Sequence, residues 1–466
     1  MLSYRRNFIA GRRQAPLSRL RVEVRSPFDG AVVGQAPLAG QPDIEMAIAA
    51  ARRAVERRIW SGTTLQRRLT VLERFWRLYL EQANALALLS ARQTALPVTA
   101  TLDLVAQALE AGQARLEMTR GALAVGDGVS RSYRRQAGGV VAAFPAWNAS
   151  QPSALAWLLP ALLAGCAMVL LLPPLCPLDG QQLGELLAEA GLPDGVLNIV
   201  VADEAACLRM AVHEDVDWVA FSGLADVGQE LARLCAAETK PLVLSSHARA
   251  TGVLLPDADL AAVAAALRPR LFMASGQAPS NPSRLLVPRH RQAEFIEALT
   301  AMVGALPTGD PRDPGTVIGP LISDEARARA AFLVAQARAM GADVVIGQEN
   351  GRDGGAPEPG AIMGATVVAN VSADMDLVRQ EPRGPVAVVI PYADLDQAIV
   401  TANSLPGRPS AAVWSEEPSI AEAVAVRLHA DHVALNPKVL AADLAAIGQE
   451  RDEPFSNVQV VTHAEI

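Results

Sequence analysis

Two rhythms of apolar residues alternate along this chain. Short runs rich in Val, Leu and Ile read as buried strands, and between them lie longer Ala/Leu/Glu/Arg stretches whose apolar positions recur every three to four residues, as on one face of a helix. The helical rhythm predicts helices over Pro42–Arg58, Leu65–Ala83, Leu178–Ala190, Val227–Ala237, Ala258–Ala274, Arg291–Val303 and Ser323–Met340. Strands are predicted at Val140–Phe144, Met168–Leu172, Val196–Val201, Trp218–Phe221, Val243–Leu244, Val253–Leu255 and Arg284–Val287. Strand and helix in turn define an α/β fold, here a doubly wound first half and a second α/β unit starting near residue 245. At 466 residues, two or three domains are expected from roughly 100 to 200 residues each.

Three stretches depart from that alternation. Ala154–Leu178 is uncharged and longer than the roughly 18 residues of a membrane-span candidate. It is broken by Pro160, Gly165, Pro173, Pro174 and Pro177, so a buried helix followed by a buried strand is expected instead. Val129–Gln136 and Ser456–Ile466 both alternate like half-exposed strands. An unprotected pair of such strands is a surface for association with another subunit, whereas a shielded pair is a plain surface hairpin.

Composition narrows the function. Cys166, Cys176, Cys207 and Cys235 are scattered without metal-ligand or redox spacing, so neither a disulfide framework nor a metal site is expected. A formal net charge of −8 and the lack of a basic block interleaved with aromatics exclude an evident nucleic-acid surface. The only lysines are Lys240 and Lys438. The N-terminus turns polar after Ile9 and lacks the continuous apolar stretch of a secretion signal, so a soluble, cytoplasmic protein without membrane attachment is expected.

The segments Gly138-Gly-Val-Val-Ala-Ala-Phe-Pro-Ala-Trp-Asn148, Pro160–Val169 and Ala190–Val200 resemble, in order, the cofactor half of aldehyde dehydrogenases. The resemblance continues through Phe221–Gly228, Lys240–Leu244, Leu255–Leu260, Gly276-Gln277, Arg284, Ile318–Ile322, Glu381–Val386 and Ala402–Leu405, and so spans essentially the whole chain. It implies an aldehyde dehydrogenase-like α/β fold in three parts. These are a Rossmann-like NAD(P)-type domain over residues 1–118 and 138–246, oligomerisation strands at 119–137 and 454–466, and a catalytic-type α/β domain over 247–453. It also implies a dimer or tetramer.

The same resemblance marks the places where chemistry would stand. The family oxidises aldehydes with a cysteine nucleophile, hydride transfer to a nicotinamide, and a glutamate that activates water. The nucleophile position falls on Pro279, which has neither a side chain that can attack nor a backbone N–H for an oxyanion. The general-base position falls on Ser245, and the glycine pair that follows it in the family becomes His247-Ala248, with His247 read as a space-filling residue and not a substitute base. Asn148 retains the other oxyanion donor, a role that competes with a purely structural one in the turn. The lysine and glutamate that hold the adenosine ribose correspond to Leu171 and Pro174. Gly223 and Gly228 keep the strand-turn-helix pair that can face a pyrophosphate, though such glycines also serve packing. Glu381 matches the nicotinamide-ribose glutamate, and Arg383, in place of an aromatic, is expected either to pair with Glu381 or to face solvent with it. Neither Ser280 nor Cys166 is expected to replace the nucleophile.

Three readings follow. The leading one is an inactive aldehyde dehydrogenase-like subunit, structural or regulatory, in a homo-oligomer or a hetero-oligomer with an active relative, binding no cofactor. The others are a residual NAD- or NADP-dependent oxidoreductase or esterase, and a small-molecule or nucleotide binding module that reuses the substrate tunnel near Trp147 and Asn148.

Overall fold

The computed structural model describes residues 2–125, 132–246, 249–278, 281–347, 360–405, 410–438 and 455–461. Two seven-stranded sheets, each covered by helices, make up most of it. In the first, five parallel strands run in the order Leu242–Ser246, Trp218–Gly223, Val140–Phe144, Ala167–Leu172, Leu197–Val201, with Asn7–Ile9 and Arg12–Gln14 added antiparallel at one edge. The order runs outward in both directions from Val140–Phe144, which creates a switch point at the carboxyl ends of the strands, where open α/β sheets form their crevice. In the second sheet, Thr251–Leu254 and Arg284–Pro288 are central, and Asp343–Ile346 is the antiparallel edge. The inner strands of both sheets are buried on both faces, which explains their continuous apolar runs.

Most predicted strands agree with the observed ones to within a residue or two, and Val140–Phe144 agrees at both ends. The helices differ where punctuation was misread. The helix from Leu65 runs on to Thr94, stopped by Ala95 in the left-handed region just before Leu96-Pro97. The one beginning at Leu260 stops at Leu267, because Pro269 follows immediately, so the expected continuation to Ala274 is a turn. Val98–Val125 is a helix that no periodicity announced, since apolar residues lie on most of its sides. The uncharged stretch resolves into helix Ser150–Ala164, with Pro160 inside it, and strand Ala167–Leu172. Among the described residues no helix is long and apolar enough to cross a membrane.

The two strand-like outliers pair with each other, Ser132–Ala137 antiparallel to Ser456–Val461 with Ala137 opposite Ser456. The rest of both predicted segments lies outside the described residues. Phe455 anchors this ribbon. It is fully buried, its carbonyl accepts hydrogen bonds from Gly138 N (3.0 Å) and from the Cys166 thiol (3.3 Å), and its ring meets Trp218 edge-on at 5.7 Å. A Cβ at Gly138 would lie 2.8 Å from that carbonyl, so glycine is required for the close approach.

Candidate functional site

Five parallel strands of the first sheet end in the pairs Ser245-Ser246, Ser222-Gly223, Ala143-Phe144, Leu171-Leu172 and Val200-Val201, none of them charged. Leu171 is buried, while Pro173 and Pro174 are half-buried beyond the strand. Ser245 lies opposite Ser222 in the parallel register. The Ser222 hydroxyl is buried without a partner. His247 and Ala248 lie outside the described residues.

Gly223 leads into helix Ala225–Ala237, whose N-cap is Leu224 and which therefore has no side-chain cap. A Cβ at Gly223 would stand 2.5 Å from Cζ of Phe221, so the chain's own aromatic ring takes up the space on that side. Gly228 is buried within the helix, its N–H bonded to the Leu224 carbonyl at 2.9 Å.

Asn148 is buried in a short 3-10 turn, Trp147–Ala149, between the strand Val140–Phe144 and helix Ser150–Ala164. Its Nδ2 donates to the Gln277 carbonyl at 2.6 Å, and its Oδ1 is buried without a partner. A backbone carbonyl only accepts, so this contact fixes which way the amide points. One donor position of the amide is thus engaged by the protein itself.

Gln277 belongs to the turn from Met273 to Ser283, of which Pro279 and Ser280 lie outside the described residues. Ala274, Ser275 and Gly276 are consecutively left-handed, at φ 55°, 59° and 75°. Each non-glycine residue there carries about 1 to 2 kcal/mol of backbone strain. Polar side chains hold the turn open: Ser275 Oγ accepts from Gly319 N (2.9 Å), Gln277 Oε1 from Ile322 N (3.0 Å), and Asn281 Nδ2 donates to the Met273 carbonyl (2.9 Å). At Gly276 a Cβ would fall 2.1 Å from the Gly384 carbonyl, which seats the turn on the segment Glu381–Val386.

With this geometry in place, comparison with known proteins is decisive for family. A model of the aldehyde dehydrogenase family matches residues 15–448. The chain belongs to the aldehyde dehydrogenase family. It is 30% identical to geranial dehydrogenase of Castellaniella defragrans over 443 residues, covering 92% of this chain and 90% of that one. It is 31% identical over 447 residues to chloroplastic betaine aldehyde dehydrogenase of Beta vulgaris, covering 93% and 88%. Among solved structures, Mycobacterium tuberculosis aldehyde dehydrogenase complexed with NAD+ superposes with a TM-score of 0.90 at 29% identity, covering 98% of each chain. A mutant of aldehyde dehydrogenase C from Pseudomonas syringae, complexed with NAD+ and octanal, gives 0.89 at 27% identity, covering 99% of this chain and 98% of that one.

The positions that the resemblance assigns to NAD+ are apolar at one end and charged at the other. Buried Leu171 and the ring of Pro174 offer a ribose no charge and no side-chain hydrogen bond. At the other end, Glu381 and Arg383 are both half-buried. Burial raises the Glu381 carboxyl pKa above the usual carboxylate range, against the pull of Arg249, Arg383 and Arg329. Burial likewise lowers the Arg383 guanidinium, with Glu381 and, from helix Ala225–Ala237, Asp226 opposing. Glu381 and Arg383, expected to pair or to face solvent, are partly exposed and attract one another electrostatically. Arg383 has a left-handed backbone, φ 52°, and its Nε is buried without a hydrogen-bond partner.

Two buried charges escaped sequence reasoning. Arg249 donates to the carbonyls of Leu377 and Gln380 and to Ser283 Oγ (3.1 Å), clamping the end of the turn; burial and neighbouring Arg284 push its pKa down to about 9, with Glu381 opposing. Asp179 accepts from Gln93 (2.6 Å), Ser150 (2.8 Å), Gln151 (3.0 Å) and Gly180 N (2.8 Å), holding the start of the helix that follows Asn148. Only Asp179 left a signal, as an Asp at the head of a predicted helix.

The four cysteines are all buried. Burial pushes the Cys166 thiol up to about 12, and its Sγ is engaged with the Phe455 carbonyl, so it supplies no thiolate near neutral pH. Among the described residues no cluster of His, Cys, Asp and Glu could hold a metal ion.

Proposed function

We propose that this chain is a non-catalytic member of the aldehyde dehydrogenase family, acting as a structural or regulatory subunit of an oligomer. The observation that carries the proposal is the uncharged set of side chains at the carboxyl ends of the first sheet, Ser245 and Leu171 above all. A serine is a very poor base near neutral pH, and leucine cannot bind a ribose hydroxyl. In sequence, Pro279 adds the loss of nucleophile and of one oxyanion N–H. Losing a nucleophile alone costs about 10⁴ to 10⁶ in turnover, and base and nucleophile act as one unit.

What remains is architecture. We assign residues 1–118 with 138–246 to the Rossmann-like domain, 247–453 to the catalytic-type domain, and 119–137 with 454–466 to an assembly ribbon. Among the described residues the ribbon Ser132–Ala137 with Ser456–Val461 is two strands wide, so each strand has an edge there able to extend a partner's sheet. The partner in this reading is a second copy, giving a dimer or tetramer, or an active relative.

Calorimetric titration of NAD and of NADP into the purified protein, with its solution mass measured alongside, tests both halves. The expected result is no saturable binding of either dinucleotide and a mass at least twice that of the chain. Saturable binding with turnover of an aldehyde would replace the proposal with a residual oxidoreductase. A monomeric mass, together with co-purification of no relative, would end the assembly role.

A further inference from the structure

A pocket of about 280 Å³ lies where the start of helix Val98–Val125 meets the end of helix Leu260–Leu267. Its walls are apolar, built chiefly from Pro97, Ala100, Pro269 and Met273. Backbone contacts beside it fasten the start of the first helix to the second half of the chain: Val98 N donates to the Pro311 carbonyl at 2.9 Å, and a Cβ at Gly319 would press on the Ala95 carbonyl at 3.0 Å. The pocket is therefore a fixed feature of the junction between the two halves of the chain, a common setting for small-molecule sites.

Its floor separates it from Asn148. Ala100 and Met273 face the pocket and also belong to a small apolar cluster with Leu96, Leu104, Ala274, Ala278 and Trp147. Neither Asn148 nor Gln277 lines the space. A molecule held here is walled off from the oxyanion remnant by packed side chains.

The two ionised side chains of the lining have opposite sign and come from opposite walls, Asp103 from helix Val98–Val125 and Arg268 from the cap of helix Leu260–Leu267. Both are exposed, and neither side chain has a hydrogen-bond or ion-pair partner among the described residues. An apolar space with one unpaired anion on one wall and one unpaired cation on the other is complementary to a molecule built the same way. We propose that the pocket binds a small zwitterion with an apolar spacer, its ammonium at Asp103 and its carboxylate at Arg268, and that the bound molecule ties the two halves of the chain together without meeting Asn148. The carboxylate can take two parallel N–H bonds from the guanidinium, and the ammonium is matched to a carboxylate acceptor. The volume, near the lower end of the range for ligand pockets, restricts the spacer to a short chain.

The test uses the full chain and linear ω-amino acids from 4-aminobutanoate to 8-aminooctanoate as probes, read by calorimetry and by thermal shift, with hexanoate and hexylamine as single-charge controls. Expected is saturable binding with an optimum within the series, about tenfold tighter than either control. Asp103→Asn should weaken the best zwitterion about tenfold while leaving hexanoate unchanged, and Arg268→Gln should weaken it as much while leaving hexylamine unchanged. Both positions are exposed, so folding is not at stake, and circular dichroism of the variants checks this. Absence of binding by every member of the series at about 10 mM, or equal binding by wild type and both variants, overturns the proposal. The outcome is independent of dinucleotide binding and of solution mass, so it can fail while the assembly reading stands.

Discussion

The turn Met273–Ser283 and the strand ends of the first sheet stand at one site but have kept different things. The turn keeps an expensive backbone: consecutive left-handed residues at Ala274 and Ser275, a glycine pressed against the Gly384 carbonyl, and three polar side chains holding the loop. The strand ends keep only apolar residues, serines and a glycine. Shape and reactivity are thus carried by different atoms. Backbone amides and neutral side chains fix the loop, whereas the strand ends are held by apolar packing, with Leu171 part of the main core.

That contrast can be broken first from the side of the turn. Arg249→Met removes the guanidinium that clamps Ser283 and the Leu377 and Gln380 carbonyls, and leaves Glu381 with less countercharge. A loss of about 3 to 5 kcal/mol is expected in urea unfolding. A variant as stable as wild type would mean that the clamp is ornamental. Asp179→Asn should cost about 2 kcal/mol, because an amide NH₂ would then confront one pair of donors, either Gln93 with Gly180 N or Ser150 with Gln151. Its readout is the same unfolding curve, and near-zero change would show that the network rearranges.

The strand-end side predicts a gain. Leu224→Ser supplies the missing cap of helix Ala225–Ala237 and should raise stability by about 1 kcal/mol. Calorimetry on that variant should still detect no dinucleotide, since Leu171 and Pro174 are unchanged; tight binding would locate the whole defect at Leu224. The smallest effect concerns pH. Burial raises the folded-state pKa of Glu381 above its ordinary 4.5, so its stabilising contribution is complete below that value and is lost as pH rises through the raised one. Glu381→Gln should therefore gain relative to wild type as pH rises above the ordinary 4.5. A difference that does not vary with pH would mean that the three arginines nearby offset burial in full.

How far the sequence could be read depended on whether local order decided the outcome. Val140–Phe144 and Leu197–Val201 were legible because strands buried on both faces need unbroken apolar runs. The helix Val98–Val125 was not, because its buried face includes Thr101 and Gly112 while Met118 is exposed, which blurs the apolar periodicity. At the site, Asn148 and Gly223 were found through motifs, but the direction of the Asn148 amide is set by the Gln277 carbonyl 129 positions away. Arg249 carries no local signal of its burial, because the Leu377 and Gln380 carbonyls that it meets lie 128 and 131 positions away. The pocket draws its walls from Pro97 to Val317, and no local pattern connects them.

Phe455 gives the ribbon a place in time as well as in space. The cleft formed by Gly138, Cys166 and Trp218 belongs to the first half of the chain, yet it is filled by a residue made much later. During synthesis, which proceeds from the N-terminus at about 5 to 20 residues per second, the first sheet can form while that cleft is still empty. The ribbon is completed only after Ser456–Val461 has left the ribosome, so a partner that reads it cannot dock while the first sheet alone has been made.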